Sequence, residues 1–308
     1  MNLLGALYLI SKSKLPLHGD FQSPAKGVFI VGCGRSGTTV LRRVLETHPK
    51  FSSGPETHIF TKINIWYERL SGKSIKTYDL EWISENCTRF NVIPGEITRI
   101  RAESSCLPEF AHRFFERFLL KDAATRWIEK TPGHVKQLDY ISRYFPLAKF
   151  VHIVRDPRDV VCSLRTHPQW KIVHGELRPH TINRPVRECL ERWMKDVSAG
   201  LQGRSICPDR YLETRYEDIL QHPKEQLERL LSFLGEDWDE RLLQFHQINV
   251  DNINVINNPR ANQSLDTSRI GRWKTELDAS ELSYIRNTCV DLAKKLGYVL
   301  PASDADST

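Results

Sequence analysis

The fold is decided by the stretch Gly27-Val-Phe-Ile-Val-Gly32-Cys33-Gly34-Arg35-Ser36-Gly37-Thr38-Thr39 and by the segment Val40-Leu-Arg-Arg-Val-Leu-Glu46 directly behind it. An apolar run of strand length leads into a glycine-rich turn, and a helix-forming segment follows. Glycines let the backbone turn tightly, so that successive N–H groups point at one anion where the helix dipole is positive. Hydroxyl side chains at this position are good anion donors but poor helix formers. The stretch therefore predicts a phosphate-binding loop between a strand and a helix.

The loop differs from that of a nucleoside triphosphatase at one decisive position. The G-x-x-x-x-G spacing from Gly32 to Gly37 is kept, but Thr38 replaces the lysine that reaches the β- and γ-phosphates in a kinase or ATPase. The basic side chain Arg35 lies inside the loop instead. A P-loop kinase would also need an acidic magnesium ligand at a strand end, and the predicted strand ends here are basic. The sequence therefore argues against triphosphate chemistry.

A second strand-to-helix junction is Lys149-Phe-Val-His-Ile-Val-Arg155-Asp-Pro-Arg158-Asp-Val-Val-Cys-Ser163. The apolar run ends in Arg155, and a helix is predicted to begin at once, with Asp156 as the N-cap and Pro157 at the first helical position. Strands that alternate with helices predict an α/β fold, a single P-loop-like domain whose central parallel sheet is flanked by helices on both faces. Ligands of such sheets bind at the carboxyl ends of the strands, where Arg35 and Arg155 both fall.

These junctions resemble those of the sulfotransferases that use 3′-phosphoadenosine 5′-phosphosulfate (PAPS), and in motif they are nearest to the bacterial-type and tyrosylprotein-sulfotransferase-like branch. The first is similar to the family's 5′-phosphosulfate loop, and the arginine and serine of the second match its 3′-phosphate pair. Arg215-Tyr216-Glu217-Asp218 looks like the segment whose tyrosine meets the adenine, and Arg269-Ile-Gly271-Arg272-Trp273-Lys274 resembles the basic loop over the nucleotide. The resemblance implies these nucleotide-binding residues: Arg35, Ser36, Gly37, Thr38, Thr39, Arg155, Ser163, Tyr216, Gly271, Arg272, Trp273 and Lys274.

The resemblance also implies transfer of a sulfuryl group from PAPS, as co-substrate, to a hydroxyl acceptor, with PAP as product and without a metal. The preferred general base is Glu56 in Ser53-Gly54-Pro55-Glu56-Thr57-His58, which resembles the G-E-E-T-R motif of tyrosylprotein sulfotransferases. Pro55 and His58 depart from that motif, so the acceptor stays open among a small molecule, a carbohydrate and a peptide tyrosine.

Three other side chains are candidates for the chemistry. Lys130, at the end of the predicted strand Trp127-Ile-Glu-Lys130, matches the lysine that steadies the bridging oxygen in the family. His58 is an alternative base, because an unperturbed imidazole titrates near neutrality. His134, four residues beyond Lys130, could also approach the acceptor, although a histidine at a helix start is more often a cap or a surface group.

The composition gives only broad indications of the number of domains, the partners and the location of the protein. The chain has 308 residues, 40% of them hydrophobic, and a net charge of +6, which suits one domain and an anionic ligand. Without an arginine-rich run or an aromatic platform, nucleic acid is not expected as a partner. The scattered cysteines, an apolar N-terminal run too short to span a bilayer and the missing export signal favour a cytoplasmic enzyme without a membrane span. A homodimer is compatible with the sequence, and the alternative functions are a non-catalytic nucleotide-binding protein and a P-loop kinase.

Further elements follow from periodicity. A helix opened by Pro185 is predicted over 186–201, a strand over 210–215, a helix from Pro223 to Gly235, and a last helix from Asp278 to Gly297 with a capping box. We expect an N-terminal extension over 1–26, a sulfotransferase domain over 27–300 and a flexible tail over 301–308. Within the domain, about 53–126 is expected to be a helical insertion whose aromatic residues line the acceptor side or the core.

Overall fold

A parallel sheet forms the centre of the fold. In the computed structural model, residues 14–15, 17–61, 78–79, 94–120, 123–173, 176–180, 182–248 and 264–301 are described. The five-stranded sheet has the order β3-β5-β2-β6-β9, with all its neighbours parallel. Its strands are β2 (Val28–Gly32), β3 (Phe51–Ser53), β5 (Arg126–Lys130), β6 (Lys149–Val154) and β9 (Tyr211–Arg215). Two antiparallel pairs stand apart, β1 (Lys14–Leu15) with β4 (Tyr78–Asp79) and β7 (Gln169–Val173) with β8 (Glu176–His180).

Helices follow most of the strands. The α-helices are α1 (Thr38–Leu45), α2 (Pro94–Ala102), α3 (Leu107–Phe118), α4 (Leu138–Tyr144), α5 (Pro157–Arg165), α6 (Val186–Leu201), α7 (Gly203–Ile206), α8 (Tyr216–Gln221), α9 (Pro223–Leu234), α10 (Trp273–Glu276) and α11 (Ala279–Lys295). Short 3₁₀ helices cover Pro132–Gln137, Pro208–Arg210, Glu240–Leu242, Phe245–Gln247 and Thr267–Arg269.

Side chains that alternate along β2 fill both faces of the sheet. Phe29 and Val31 pack into a cluster with the aromatic residues of α3, whereas Val28 and Ile30 pack against α1, α8 and α9. A third cluster joins α5, α6 and α11. Burying both faces of a parallel sheet requires such near-continuous apolar strands. The predicted α/β fold with helices on both faces is confirmed.

The predicted element boundaries agree closely with the structure. Asp156 caps α5 by accepting the N–H of Arg158 at 2.8 Å, Pro185 precedes α6, and Gly235 ends α9 in the left-handed region with φ 79°. Asp278 and the side chain of Glu281 form the predicted capping box at the start of α11. Local sequence signals therefore fix the ends of these helices.

The predicted insertion over 53–126 is described in part. It contains α2 and α3, and the four phenylalanines of α3 at 110, 114, 115 and 118 are buried in the core. Trp66, Tyr67, Trp82 and Phe90 lie outside the described residues, as do 1–13 of the N-terminal extension and 302–308 of the tail. The proposed division into extension, domain and tail stays a prediction. Among the helices that are described, none is both long and apolar enough to cross a bilayer.

The capping box of α11 gives a first prediction. Asp278→Ala removes the carboxylate oxygen that accepts the Glu281 N–H at 2.9 Å, so it should lower the free energy of unfolding by about 1 kcal/mol. Asp291→Ala, at an exposed position within the same helix, is the matched control and should cost less. Urea denaturation measures both, and equal losses would contradict the role of the cap.

Candidate active site

The loop between β2 and α1 is built on unusual backbone angles. Gly32, Arg35 and Gly37 have φ values of 146°, 73° and 97°, all in the range that favours glycine. A Cβ atom at Gly37 would lie 2.2 Å from the ring of Tyr216, so only glycine fits against that ring. The turn places the N-terminus of α1, with its unsatisfied N–H groups, at the carboxyl end of β2.

Hydroxyl groups line the loop as the sequence predicted. Ser36 is fully buried, and its Oγ has no hydrogen-bond partner within the described part of the chain. Thr38 is buried at the first turn of α1, and Thr39 Oγ1 accepts a hydrogen bond from Lys130 Nζ at 3.4 Å. A buried polar group without a partner is costly in a folded protein, so the Ser36 hydroxyl suits a site that an anion completes.

Two of the predicted catalytic residues are in direct contact beside the loop. The Lys130 ammonium, at the end of β5, is an ion-pair partner of Glu56 and is itself buried. His58 Nε2 lies 3.2 Å from the other carboxylate oxygen of Glu56. Lys130 and His58, two of the other candidates for the chemistry, therefore both contact the carboxylate of Glu56.

This contact shifts the titration of both partners. Burial alone would raise the pKa of Glu56, but the Lys130 ammonium and the His58 imidazole outweigh it and hold that pKa well below the usual carboxyl range. Burial lowers the pKa of Lys130, and Glu56 opposes that effect only in part. While it is paired with Lys130 and His58, Glu56 is therefore an ionised but weakly basic carboxylate.

Arg35 and Arg155 lie on the other side of the loop. The Nε of Arg35 donates to Ser163 Oγ at 3.2 Å, and Arg155 donates through Nη1 to the carbonyl oxygen of Arg35 at 3.2 Å. Burial, followed by the nearby Arg155 guanidinium, lowers the pKa of Arg35. Arg155 and Ser163, which the resemblance assigned to the 3′-phosphate, thus lie close to the glycine-rich loop, and Ser163 is bound to Arg35.

Tyr216 has a structural role here. Its ring is buried between the guanidinium of Arg155, 4.6 Å from the ring centroid, and Gly37 of the loop. This packing fixes the position of Arg155 through a cation–π contact. The adenine contact that the resemblance implied for Tyr216 stays a prediction.

The loop from Arg269 to Lys274 closes over the same edge. Gly271 has φ 79°, and Arg155 Nη2 donates to the carbonyl of Arg269. The other three predicted side chains have partners within the loop or its neighbours: Arg272 pairs with Glu276 at 2.8 Å, Trp273 lies 3.8 Å from the Arg158 guanidinium, and Lys274 is exposed 5.8 Å from the Trp273 ring. The loop backbone thus approaches Arg155, and its basic side chains are engaged elsewhere.

A buried network that the sequence did not indicate holds the segment of Glu56. Glu129 accepts hydrogen bonds from the hydroxyls of Thr57 at 2.9 Å and Thr131 at 2.6 Å, and its second oxygen is 2.8 Å from His134 Nδ1. Thr131 Oγ1 in turn accepts the N–H of His58 at 3.2 Å. The network fixes the positions of Thr57 and His58, and through them the position of the neighbouring carboxylate of Glu56.

His134 is therefore not a candidate base. It is fully buried, and its Nε2 accepts the N–H of Phe60 at 3.2 Å while Nδ1 faces Glu129. A substrate cannot reach an imidazole whose two nitrogens are both bonded inside the protein. The expectation that His134 approaches the acceptor is wrong, because its side chain turns into the core rather than toward the loop.

Comparisons with known proteins identify the fold and the family. The sequence model of the sulfotransferase family matches residues 27–240. The chain is 28% identical over 240 residues to protein-tyrosine sulfotransferase A of Caenorhabditis elegans, covering 77% of this chain and 57% of that one. It is 27% identical over 221 residues to the protein-tyrosine sulfotransferase of Drosophila melanogaster, covering 71% and 40%. The chain thus spans about half the length of these relatives.

A solved structure shows the same architecture. The sulfotransferase domain of the Synechococcus PCC 7002 olefin synthase superposes with a TM-score of 0.64 at 23% identity, covering 92% of this chain and 98% of that one. At this identity the likeness establishes the fold.

The tight loop gives a second prediction. Gly37→Ala should weaken binding of PAP by about tenfold or more, because the added methyl clashes with the Tyr216 ring and displaces the cradle. Isothermal titration calorimetry measures the loss. Gly95→Ala, at a helical glycine whose Cβ would meet nothing within 4 Å, is the control and should bind normally. Normal binding by Gly37→Ala would show that the loop does not form the cradle.

Proposed function

Since the chain belongs to the sulfotransferase family, we propose that it transfers a sulfuryl group from PAPS to a hydroxyl acceptor. One observation carries the proposal: Arg35, Lys130 and Arg155 gather around the glycine-rich loop at one edge of the sheet, with the carboxylate of Glu56 among them. Positive charge aimed at a sulfate and a base beside it are the parts that an in-line displacement requires.

The residues present suit the nucleotide. The loop N–H groups and the hydroxyls of Ser36 and Thr39 would hold the 5′-phosphosulfate, and Arg155 would hold the 3′-phosphate by charge-assisted hydrogen bonds. Arg155 Nε is buried without a partner among the described residues, as is Ser36 Oγ, so both have donors to offer. The basic side chains take the place of a metal ion as the charge clamp in this proposal.

Glu56 and Lys130 have complementary roles in the transfer. The acceptor oxygen forms a bond to sulfur while the bond from sulfur to the bridging phosphate oxygen breaks. Glu56 takes the proton of the acceptor hydroxyl, and Lys130 stabilises the negative charge that develops on the bridging oxygen. Because an in-line displacement places the two reacting oxygens on opposite sides of the sulfur, the Glu56–Lys130 ion pair opens for both groups to act.

The ion pair suggests an order of events. While Lys130 and His58 hold the pKa of Glu56 down, the carboxylate is a weak base. When an anionic sulfate draws the ammonium of Lys130 toward itself, Glu56 loses that partner, and its pKa rises toward the range useful for catalysis. Nucleotide binding before the acceptor would therefore switch on the base.

The acceptor is proposed only as a hydroxyl. The relatives named protein-tyrosine sulfotransferases make a peptide tyrosine the first class to test, followed by phenols and carbohydrates. In this chain His58 contacts Glu56, at the position where the tyrosylprotein motif has an arginine. A screen of these classes with labelled PAPS decides among them, and no turnover with any class, despite PAP binding, would favour a non-catalytic nucleotide-binding protein. A cytoplasmic location and a homodimer stay predictions.

Arg155 gives the third prediction. Arg155→Ala should weaken the binding of PAP by about 1.5–3 kcal/mol, which is the contribution of hydrogen bonds to a charged group. Binding of adenosine 5′-phosphosulfate, which lacks the 3′-phosphate, should be much less affected. Calorimetry in excess chelator measures both and tests the proposed independence from metal. Arg143→Ala, an exposed arginine of α4, is the control. Equal weakening of the two nucleotides, or loss of wild-type binding on chelation, would contradict the assignment.

The fourth prediction separates base from leaving-group residue. Glu56→Gln should keep nucleotide affinity near wild type but reduce kcat by about 10²–10⁴-fold, least for an acidic phenol that needs little deprotonation. Lys130→Ala should slow every acceptor and also weaken the nucleotide, since its charge faces the sulfate. Single-turnover assays with acceptors of graded acidity measure these differences.

His58→Ala is the decisive comparison for that assignment. If Glu56 is the base, this variant should keep most of its activity; a collapse with His58→Ala alongside an active Glu56→Gln would move the role to the imidazole. The pH dependence gives a second readout. Because the pKa of Glu56 in the free protein lies below the usual carboxyl range, kcat/KM for the nucleotide should show no acidic limb between about pH 5 and 8.

A further inference from the structure

A buried carboxylate outside the predicted site joins two of its parts. Asp159 lies in the first turn of α5, is fully buried, and accepts two backbone N–H groups of the loop from Arg269 to Lys274. Its Oδ2 is 2.9 Å from the N of Gly271, and its Oδ1 is 3.2 Å from the N of Trp273. One side chain thus satisfies both donors, which the left-handed turn at Gly271 brings to the same point.

The same carboxylate contacts Arg155. Its Oδ2 lies 3.6 Å from Arg155 Nη2, which also donates to the carbonyl of Arg269 in this loop. Asp159 therefore binds two N–H groups of the loop and Arg155 binds one of its carbonyl oxygens. These two side chains also form an ion pair with each other. Anchoring of this kind restricts backbone that would otherwise move, because surface loops have few internal hydrogen bonds.

We propose that Asp159 is a positioning residue that docks the loop from Arg269 to Lys274 onto Arg155, and that this docking adds to the selectivity for nucleotides with a 3′-phosphate. The second half rests on the proposed function. Without the carboxylate, the N–H groups of Gly271 and Trp273 lose their acceptor, and Arg155 loses the charge that orients its guanidinium beside the carbonyl of Arg269. The loop then leaves Arg155, and the 3′-phosphate meets an arginine that keeps only its contacts with Tyr216 and with the carbonyl of Arg35.

The first test needs no ligand. Hydrogen–deuterium exchange with fragmentation should find the amides of Gly271 and Trp273 protected in the wild-type protein, and Asp159→Asn should speed their exchange by about tenfold or more, because an amide side chain cannot accept both N–H groups equally. Asp239→Asn, at a carboxylate that caps the remote 3₁₀ helix Glu240–Leu242, is the matched control and should leave the loop unchanged. Unprotected amides in the wild type would overturn the proposal outright.

The second test uses the nucleotides. Asp159→Asn should weaken the binding of PAP by about tenfold, whereas the binding of adenosine 5′-monophosphate, which lacks the 3′-phosphate, should weaken much less. In turnover assays, KM for PAPS should rise by a larger factor than kcat falls. A general loss of stability would weaken the binding of both nucleotides equally, and that result would overturn the role of Asp159 in selectivity. Thermal melting checks that the variant is folded; if it is not, Asp159→Ser, which keeps one small acceptor and no charge, is measured in the same way.

The two tests distinguish the two hypotheses. If the wild-type protein binds neither nucleotide, the proposed function fails while the exchange experiment still decides whether Asp159 docks the loop. If PAP binds normally to Asp159→Asn and the loop amides exchange as in the wild type, the docking proposal fails while the proposed function stands.

Discussion

The site depends on burying several positive charges at one edge of the sheet. Arg35, Lys130 and Arg155 come from the loop after β2 and from the ends of β5 and β6, which parallel pairing brings side by side. Burial lowers the pKa of both Arg35 and Lys130, which measures the cost of keeping these cations out of water. Glu56 and Asp159 offset part of that cost through their ion pairs with Lys130 and Arg155. A bound anion would offset more of it, so the same charges that are costly to bury favour an anionic ligand.

The carboxylate of Glu56 must be held in place against this charge, and the interior does so. Glu129 is fully buried, but its hydrogen bonds from Thr57, Thr131 and His134 satisfy its oxygens. Burial alone would raise the pKa of Glu129, yet the hydrogen bonds from His134, Thr131 and Thr57 outweigh that effect and lower it, so the Glu129 carboxylate stays ionised. The turn that it anchors contains His58 at φ 52°, a conformation that is uncommon for residues other than glycine. The position of Glu56 is therefore set by a buried network that includes Glu129 and His134.

Sequence alone could predict the parts that local chemistry specifies. The glycine-rich loop, the N-cap at Asp156 and the capping box at Asp278 depend on residues near one another in the chain, and each was predicted where it occurs. Parallel strands also bring Arg35 and Arg155 together by a general rule of α/β sheets. Asp159 and Glu129 were missed, because a carboxylate in a helix or strand carries no sign of which distant N–H or hydroxyl it will meet. For the same reason the sequence could not indicate that His134 points into the core.

Arg155 holds together the two loops of the proposed nucleotide site. Its guanidinium donates to the carbonyl oxygens of Arg35 and Arg269, which belong to the two loops that would border the nucleotide. A phosphate oxygen is a stronger acceptor for a guanidinium than a neutral carbonyl is, so binding can exchange one for the other with a gain in free energy. Until then, the carbonyl contacts hold both loops near the arginine, and less conformational entropy is lost on binding. The two carbonyl contacts of Arg155, which a bound nucleotide would displace, are thus the contacts that hold both loops in position.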